Sequence, residues 1–490
     1  MINLSKSKFL SGWQCRLRLW NDIHRPELAP PVSGDLQAIF DLGHEVGRIA
    51  HKLYPDGIEV KEAYDQHRQA LETTRTLMAD KSVKAIFEAA FEFEGVKVRA
   101  DILARTRCGW KLVEVKSSSE VKEINKYDAA LQYYVLKGCG VELKKAGLCH
   151  INKEYVYDGV CLNPEEFLIT EDLTADCIAL QEEVKNLVSD FKQMLASDIP
   201  PEAKAPYSCT GPYKCPYTDN CLSDRDEYWI YDCLPRFRVD RLKRLEERGI
   251  VNIQDLPDDE RLSELQERVR NAIVSGKEFI DSDLKDKLNN LDYPVYFLDF
   301  ETFFTAIPRY KGTRPFQVLP FQWSCHILHE DGRLEHREYL CNEDKDPRPE
   351  FIESMLECLG DTGTIAMYHN YERDRIKHLA EELPQYAGKL NSLLPRLWDL
   401  LAVIRENYYH PGFKKSFSLK SVLPAVIPEM TYEGMEIGNG GEASSGYELM
   451  VCSQLPNDEK ARIRTALLEY CKQDTLAMVR LREELLQKNQ

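Results

Sequence analysis

Apolar residues recur at helical spacing over residues 34 to 54 and again over 65 to 90, which predicts two helices. The period then shortens to two. "FEFEGVKVRADILAR" (91 to 105) reads as a strand and, after a Cys-Gly turn, "GWKLVEVKSS" (109 to 118) as a second. "KYDAALQYYVLKGCG" returns to helical spacing and has a glycine stop at Gly138 or Gly140. The result is a β-β-α unit with its polar residues at the strand ends. An amphipathic helix over 172 to 197 is ended by the prolines of "DIPPEAKAPYSC". "DRLKRLEERGIVNIQDLPDD" reads as a hairpin-type helical connector or, equally, as a plain helical linker. From Pro294 strands return in "PVYFLDFET", "FQWSCHIL", "LEHREYL" and "GTIAMYH", interleaved with helices around 349–359, 372–383, 392–406 and 458–487. The expected fold class is α/β, organised as an N-terminal domain over 1–225, a helical connector over 226–290 and a C-terminal domain over 291–490.

The chain has 490 residues. At about 150 residues per domain, that length suits roughly three units, or two with a connector. A composition of 43% hydrophobic and 30% charged residues is that of an ordinary globular chain. No apolar run approaches the ~20 residues that span a bilayer, and "MINLSKSKFLSGWQC" lacks the apolar stretch of a secretory signal. A cytoplasmic location without a membrane partner is therefore expected. The 64 basic and 81 acidic residues give a net charge of -17, which by itself argues against nonspecific binding of polyanions. A metal-dependent enzyme concentrates carboxylates where metals go, so total charge does not decide. Fifteen cysteines spread along the whole chain do not suggest the disulfide framework of a small secreted domain, and most read as small buried hydrophobes.

Three C-terminal stretches carry acids in a pattern. In "YFLDFET", strand alternation puts Asp299 and Glu301 on one face, where they either face solvent or repel each other around a cation. "AMYHNYERDRI" places Asp374 four residues after Asn370, on the first turn of a helix. "LLEYCKQDTLAMVRL" places Asp474 four residues after Tyr470, on one helix face. The order D-x-E, N-x3-D, Y-x3-D resembles the DEDD exonuclease superfamily, the DnaQ-like enzymes of ribonuclease H-like fold, in its tyrosine-bearing subclass, over residues 294 to 490. "WDLL" (398 to 401) and "SFSLKSVLP" (416 to 424) fall where that family has a strand-end aspartate and an L-x-x-(L/V/A) helix, with Asp399 as supporting structure. The resemblance implies two Mg2+ or Mn2+ ions, which take oxygen ligands and neutralise attacking and leaving oxygens. Asp299, Glu301 and Asp474 would hold the first ion, Asp299 and Asp374 would help place the second, and Tyr470 would orient the attacking water.

The N-terminal strands carry Asp101 in "RADIL" and Glu114-x-Lys116 in "LVEVKSS", followed by Gln132 in "LQYY" and preceded by His51 in "GHEVGRIAH". Taken alone, E-x-K reads as a surface cross-strand ion pair and His51 equally as a helix-packing residue or a ligand. The order G-x3-H, D, E-x-K, Q resembles the RecB-like branch of the PD-(D/E)XK nucleases. It implies that Asp101 and Glu114 bind one or two divalent ions, with His51 as an extra ligand. Lys116 would orient or deprotonate water and Gln132 would position the site, although Leu136 stands where the family's helper tyrosine would be.

"CTGPYKCPYTDNC" spaces Cys209, Cys215 and Cys221 as C-x5-C-x5-C, with Cys15 as the fourth thiol near the N-terminus. Four thiolates hold zinc or a [4Fe-4S] cluster, and the paired C-x2-C knuckles typical of zinc are missing. The layout resembles the iron-sulfur clasp of AddB-type and CRISPR-associated RecB-like exonucleases, though with a longer first spacing, and implies a cluster in preference to zinc. Together the motifs resemble bacterial proteins that fuse a RecB-like nuclease to a DnaQ-like domain. What that implies is a two-site nuclease acting on DNA with a single-stranded end, running 3' to 5' at the second site, with a helicase or another repair or defence protein as a further partner. Arg309, Lys311 and Arg314, among aromatics at 303 to 323, form either a strand-holding loop or an ordinary surface loop. An RNA-processing exonuclease, or a nucleic-acid-binding module with one active site, are the other readings.

Overall fold

The computed structural model describes residues 4–202 and 209–488 apart from Ser33 and Ser453, with only the backbone of Asp35. The chain is α/β and forms two compact units, Met1–Asp224 with Thr305–Gln317, and Arg225–Phe304 with Val318–Gln490. The segment set apart as a connector lies in the second unit. The basic run 305–317 lies in the first.

The first unit is built on a sheet of seven strands: β1 (Leu4–Ser5), β2 (Gly57–Glu59), β3 (Ala85–Phe93), β4 (Val96–Thr106), β5 (Gly109–Val115), β6 (Leu143–Ile151) and β7 (Leu168–Asp172). Their order is β2-β3-β4-β5-β6-β7, with β1 beside β4. Pairing is antiparallel for β3/β4, β4/β5 and β6/β7, and parallel for β2/β3, β5/β6 and β1/β4. Alternation sorts the apolar side chains to two cores. Ile86, Leu103 and Leu112 join Phe9, Leu131 and Phe191 on one face, while Phe87, Ile102 and Val113 join Val46, Ile49 and Phe167 on the other. The helices Lys6–Gln14, Glu123–Gly138 and Gln181–Leu195 supply the first face and Gly34–His51 the second.

Two sequence expectations are corrected here. Residues 85–90 are strand, not helix: β3 is buried on both faces, so its apolar run carries no period-two signal to betray it. Residues 91–105 are not one strand but the end of β3 and most of β4. Glu94 and Gly95, at φ 46° and 66°, make the tight turn between them, with glycine where the left-handed backbone is needed.

The second unit contributes β8 (Phe279–Ile280), β9 (Val295–Phe304), β10 (Val318–Leu328), β11 (Leu334–Leu340), β12 (Thr364–Met367), β13 (Leu397–Asp399) and β14 (Tyr408–Tyr409). Five of them form a sheet in the order β11-β10-β9-β12-β13, antiparallel from β11 to β9 and parallel from β9 to β13. On β9, Tyr296, Leu298 and Phe300 enter a core with Phe351, Ile352 and Ile376, which leaves Asp299 and Glu301 on the opposite face. The expected helix over 392–406 is broken into Ala387–Leu393, β13 and Leu400–Asn407. Pro395 interrupts it, and the Asp399 carboxylate caps the restart by accepting from the Ala402 N–H at 3.0 Å. Among the described residues no helix is long and apolar enough to cross a membrane.

Candidate functional site

Two groups of buried acids stand out, one in each unit. In the second unit, Asp299 and Glu301 come from β9 and Asp474 from the long helix Asn457–Gln487. The fourth acid is Glu372, on the first turn of the helix Tyr371–Glu382. Glu372 is 3% exposed, lies beside Asp299, and feels the charges of Asp399 and Asp474. Asp374, the expected member, is exposed and takes no part. The reason is helical phase: two residues further along, a side chain has turned by about 200° and leaves the sheet. Just before this helix, His369 holds φ 101°, a costly conformation for a residue with a Cβ, and its N–H donates to Asp399 at 3.3 Å. Asp399 is thus a structural cap beside the cluster.

Electrostatics shows what packing these acids together costs. Burial first, then Asp474, Glu372 and Glu301, push the Asp299 carboxyl well above its usual range. Burial and Asp474 do the same to Glu301, opposed by Lys420. Burial pushes Glu372 up to about 8 and Asp474 up to about 6, the latter held down by hydrogen bonds from Tyr432 and Tyr470 and by Lys420. Tyr432 donates to Asp474 Oδ1. Lys420 lies over both tyrosine rings, 5.4 Å from that of Tyr432 and 5.2 Å from that of Tyr470. Lys420 and Tyr432 went unrecognised in the sequence, although Lys420 sits in the "SLKSVLP" helix.

Among the described residues, Asp299, Glu301 and Cys471 form the group whose ligand atoms all fall within 4.8 Å of one another. Burial and the three neighbouring acids keep the Cys471 thiol protonated, and its Sγ donates to Asp299 Oδ2 at 3.6 Å. The carboxylates supply the cluster's oxygen ligands. Glu372 Oε2 is buried with no hydrogen-bond partner. A buried carboxylate oxygen without a partner, inside a cluster of like charges, fits a hard divalent cation such as Mg2+ or Mn2+.

In the first unit, Asp101 on β4 and Glu114 on β5 share the face covered by the helices Lys6–Gln14 and Glu123–Gly138. The latter helix supplies Gln132 and, one turn earlier, Asp128. Lys116 Nζ donates to Glu114 Oε1 at 2.6 Å and to Asp128 Oδ2 at 2.7 Å. Gln132 Nε2 donates to Glu114 Oε2 at 2.5 Å and Asp128 Oδ1 at 3.0 Å. Asp101 Oδ2 accepts from the Val115 N–H at 2.7 Å. Burial, then the Glu114 charge, push Asp101 up to about 8. Burial would raise Glu114 too, but Lys116 and Lys6 together hold it well below the carboxylate range. Lys6 and Asp128 were missed, although Asp128 lies at the i,i+4 spacing from Gln132 that the helix makes legible.

Another acid, Glu88, lies opposite Asp101 where the β3/β4 register skips, at φ 54°. It interacts with Lys6, Arg99 and Glu114, and burial raises its pKa. His51 is placed differently from the expectation. Its ring stacks on Phe87 at 3.8 Å, burial lowers its pKa, and the charge acting on it is Glu59. That geometry matches a packing residue.

Cys15, Cys209, Cys215 and Cys221 are free thiols of the first unit, and the charges of the other three act on Cys209. Burial first, and then these neighbours, raise the thiol of Cys209. Cys215 and Cys221 are raised by burial first and also feel Cys15. The loop carrying them is tied to the helix Arg16–His24 and the residues flanking it: Gln14 Nε2 donates to the Tyr213 carbonyl at 2.7 Å and Tyr217 donates to Asp22 Oδ1 at 2.9 Å.

The basic run 305–317 is held inside the first unit. Ala306, Ile307 and Phe316 pack with Phe87 and Phe167, Tyr157 and Gly312–Thr313 exchange backbone hydrogen bonds, and Arg314 pairs with Glu154 at 3.0 Å. Arg309 stacks over Tyr310 at 5.7 Å, and Lys311 lies beside Gly159. This packing accounts for the apolar residues of the run, while Lys311 and Arg314 are exposed.

The chain is thus a protein of two α/β units, each with a buried carboxylate cluster. A family model described as a domain of unknown function, DUF2779, matches residues 296–418. That stretch contains Asp299, Glu301, Glu372 and Asp399 and ends just before Lys420. No curated protein matches the chain.

Proposed function

We propose that this protein is a metal-dependent nuclease with two hydrolytic centres, one in each unit, acting on DNA with a single-stranded end. The observation that carries the reading is the convergence of four acids from three separate segments, the half-buried Asp299 and the buried Glu301, Glu372 and Asp474, with a partnerless carboxylate oxygen among them. So much buried like charge is retained only where something positive offsets it. The sheet order, with the first two acids on the central strand between an antiparallel and a parallel neighbour, agrees with a ribonuclease H-like unit of the DEDD type. Glu372 takes the third acidic place. In the first unit, acids on adjacent strands with a lysine two residues after the second agree with a PD-(D/E)XK site.

In the C-terminal centre Asp299, Glu301, Glu372 and Asp474 would hold divalent ions, which neutralise charge on the attacking and leaving phosphodiester oxygens. Tyr432 fixes the Asp474 carboxylate by donating to it. Tyr470 carries a hydroxyl next to the acids that orients the attacking water. Lys420 adds an ammonium on the tyrosine side. In the N-terminal centre Asp101 and Glu114 would hold metal and Lys116 would orient the water.

An iron-sulfur clasp is the reading the cysteine spacing favours over zinc, because Cys209, Cys215 and Cys221 are spaced C-x5-C-x5-C without the paired C-x2-C knuckles of zinc sites. A cluster there would tie the two ends of the first unit together.

End-labelled single-stranded DNA and RNA, incubated with Mn2+ and the full chain, test the proposal. Wild type is expected to shorten DNA, Asp299→Ala to lose one mode of cleavage and Lys116→Ala the other. Absence of metal-dependent cleavage in wild type refutes the proposal, and cleavage of RNA alone refutes the substrate.

A further inference from the structure

We propose that Lys6 is the resident counter-cation of the N-terminal carboxylate cluster and that a divalent ion enters this site by displacing it. The inference rests on reading that cluster as a metal site. Lys6 opens the helix Lys6–Gln14, and its ammonium lies 2.8 Å from Glu114 Oε1, 3.7 Å from Asp101 Oδ1 and 3.9 Å from Asp128 Oδ1. Its ammonium stands among three carboxylates from two strands and a helix, Asp101 and Glu114 among them, the residues that would hold a metal. Lys116 does not fill that place: its two ion-pair partners are Glu114 and Asp128.

A second observation points to a ligand. Gln132 is fully buried and spends its amide nitrogen on Glu114 and Asp128, while its carbonyl oxygen has no partner. The cluster therefore contains an acceptor that neither lysine satisfies and that a hydrated cation can.

The two positive groups are equally exposed, 25% for Lys6 and 24% for Lys116, but they are held differently. Lys116 is pinned by hydrogen bonds of 2.6 and 2.7 Å to two acids, whereas Lys6 is held at 2.8 Å by Glu114 and touches Asp101 and Asp128 only at 3.7 and 3.9 Å, so Lys6 is the one that can swing to water on its flexible stem while Glu114 and Asp128, each 1% exposed, stay. Charge then orders the two centres. With every carboxyl ionised, three carboxylates against Lys6 and Lys116 leave one net negative charge at the first centre, whereas four against Lys420 leave three at the second. The C-terminal centre loads metal first, and the N-terminal centre loads at higher concentration with Lys6 expelled.

Manganese binding, followed by the EPR signal of free Mn2+, tests this in the full chain carrying Asp299→Ala and Glu301→Ala to silence the C-terminal centre. Adding Lys6→Met is expected to tighten the remaining site at least ten-fold, and Asp101→Asn to abolish it. In wild type, amine acylation read by mass spectrometry gives an independent check that does not depend on a variant folding. Mg2+ is expected to raise the labelling of Lys6 several-fold. Unchanged or weaker Mn2+ binding in Lys6→Met, with Asp101→Asn still abolishing it, overturns the displacement and leaves the metal site standing. Labelling of Lys6 that Mg2+ leaves unchanged or suppresses also overturns it. No Mn2+ bound with or without Lys6, in protein that melts cooperatively, overturns the metal reading of this centre and the displacement with it.

Discussion

Replacing Glu372 by glutamine removes one charge from a group of four acids, three of them buried and Asp299 half-buried, while keeping the shape of the side chain. Its carboxyl is pushed up to about 8, so near neutral pH the fold must hold it protonated or bear its charge. Relative to an ordinary glutamic acid, protonating it at pH 7 spans about 2.5 pH units, roughly 3 kcal/mol at ~1.36 kcal/mol per unit. Glutamine avoids that cost but buries an amide, so metal-free Glu372→Gln should be more stable than wild type by about 1–3 kcal/mol at pH 7. For a unit of this size that is roughly 3–10 °C in the melting of the second unit. The sign with pH follows from a folded-state pKa above the unfolded one. The cost is absent below about pH 4.5, grows as pH rises toward 8, and is constant beyond, so the advantage of glutamine should vanish at pH 4 to 5. The same variant should bind Mn2+ more weakly and lose C-terminal cleavage, the usual opposition of stability and activity at a charged site. Exposed Asp374→Asn should change none of these. Thermal melting in a chelator at pH 4.5 and pH 7.5, with Mn2+ titration beside it, is the assay. A Glu372→Gln protein less stable than wild type at pH 7.5, or one that binds Mn2+ as well, would refute the reasoning, as would an Asp374→Asn protein behaving as described for Glu372.

Tyr470→Phe should retain Mn2+ binding at the C-terminal centre, since Tyr432 still donates to Asp474, but cut its cleavage rate by about 10²-fold through loss of the water-orienting hydroxyl; single-turnover rates decide. Serine at Cys15, Cys209, Cys215 or Cys221 should abolish the visible brown absorption expected of anaerobically purified protein, while serine at exposed Cys139 should leave it intact. Leu298→Ala empties a fully buried position of β9 between Phe351 and Ile376 and should cost roughly 3 kcal/mol in chemical denaturation. Gly363→Ala should destabilise as well, because at φ 89° its Cβ would stand 2.2 Å from the Pro294 carbonyl oxygen.

The parts of this site that sequence reveals are those carried by one element. Asp299 and Glu301 sit two apart on a strand, and Tyr470 and Asp474 four apart on a helix; each pair shares a face because the backbone repeat requires it. The adjacent β4 and β5 likewise bring Asp101 and Glu114 to one side once the turn between them is recognised. Glu372 was obscured by Asp374 because both acids lie in the first turn and only the packed phase of the helix separates them. The strand at 85–90 and the break at 394–399 were hidden by burial on both faces and by a proline inside an apolar run. Lys6 reaches Glu114 across 108 positions of chain, and nothing near Lys6 in "LSKSKF" announces it.

What the sequence determined by itself is the α/β alternation and the local pairing of acids, since bond geometry sets periods of 2 and about 3.6 residues wherever a segment folds. Tertiary structure alone decided which ammonium meets which carboxylate, that 305–317 joins the first unit, and that Glu372 enters the cluster instead of Asp374. Those outcomes depend on contacts between segments far apart in the chain. Their energies come from burial and Coulomb interaction in three dimensions, which no local pattern encodes.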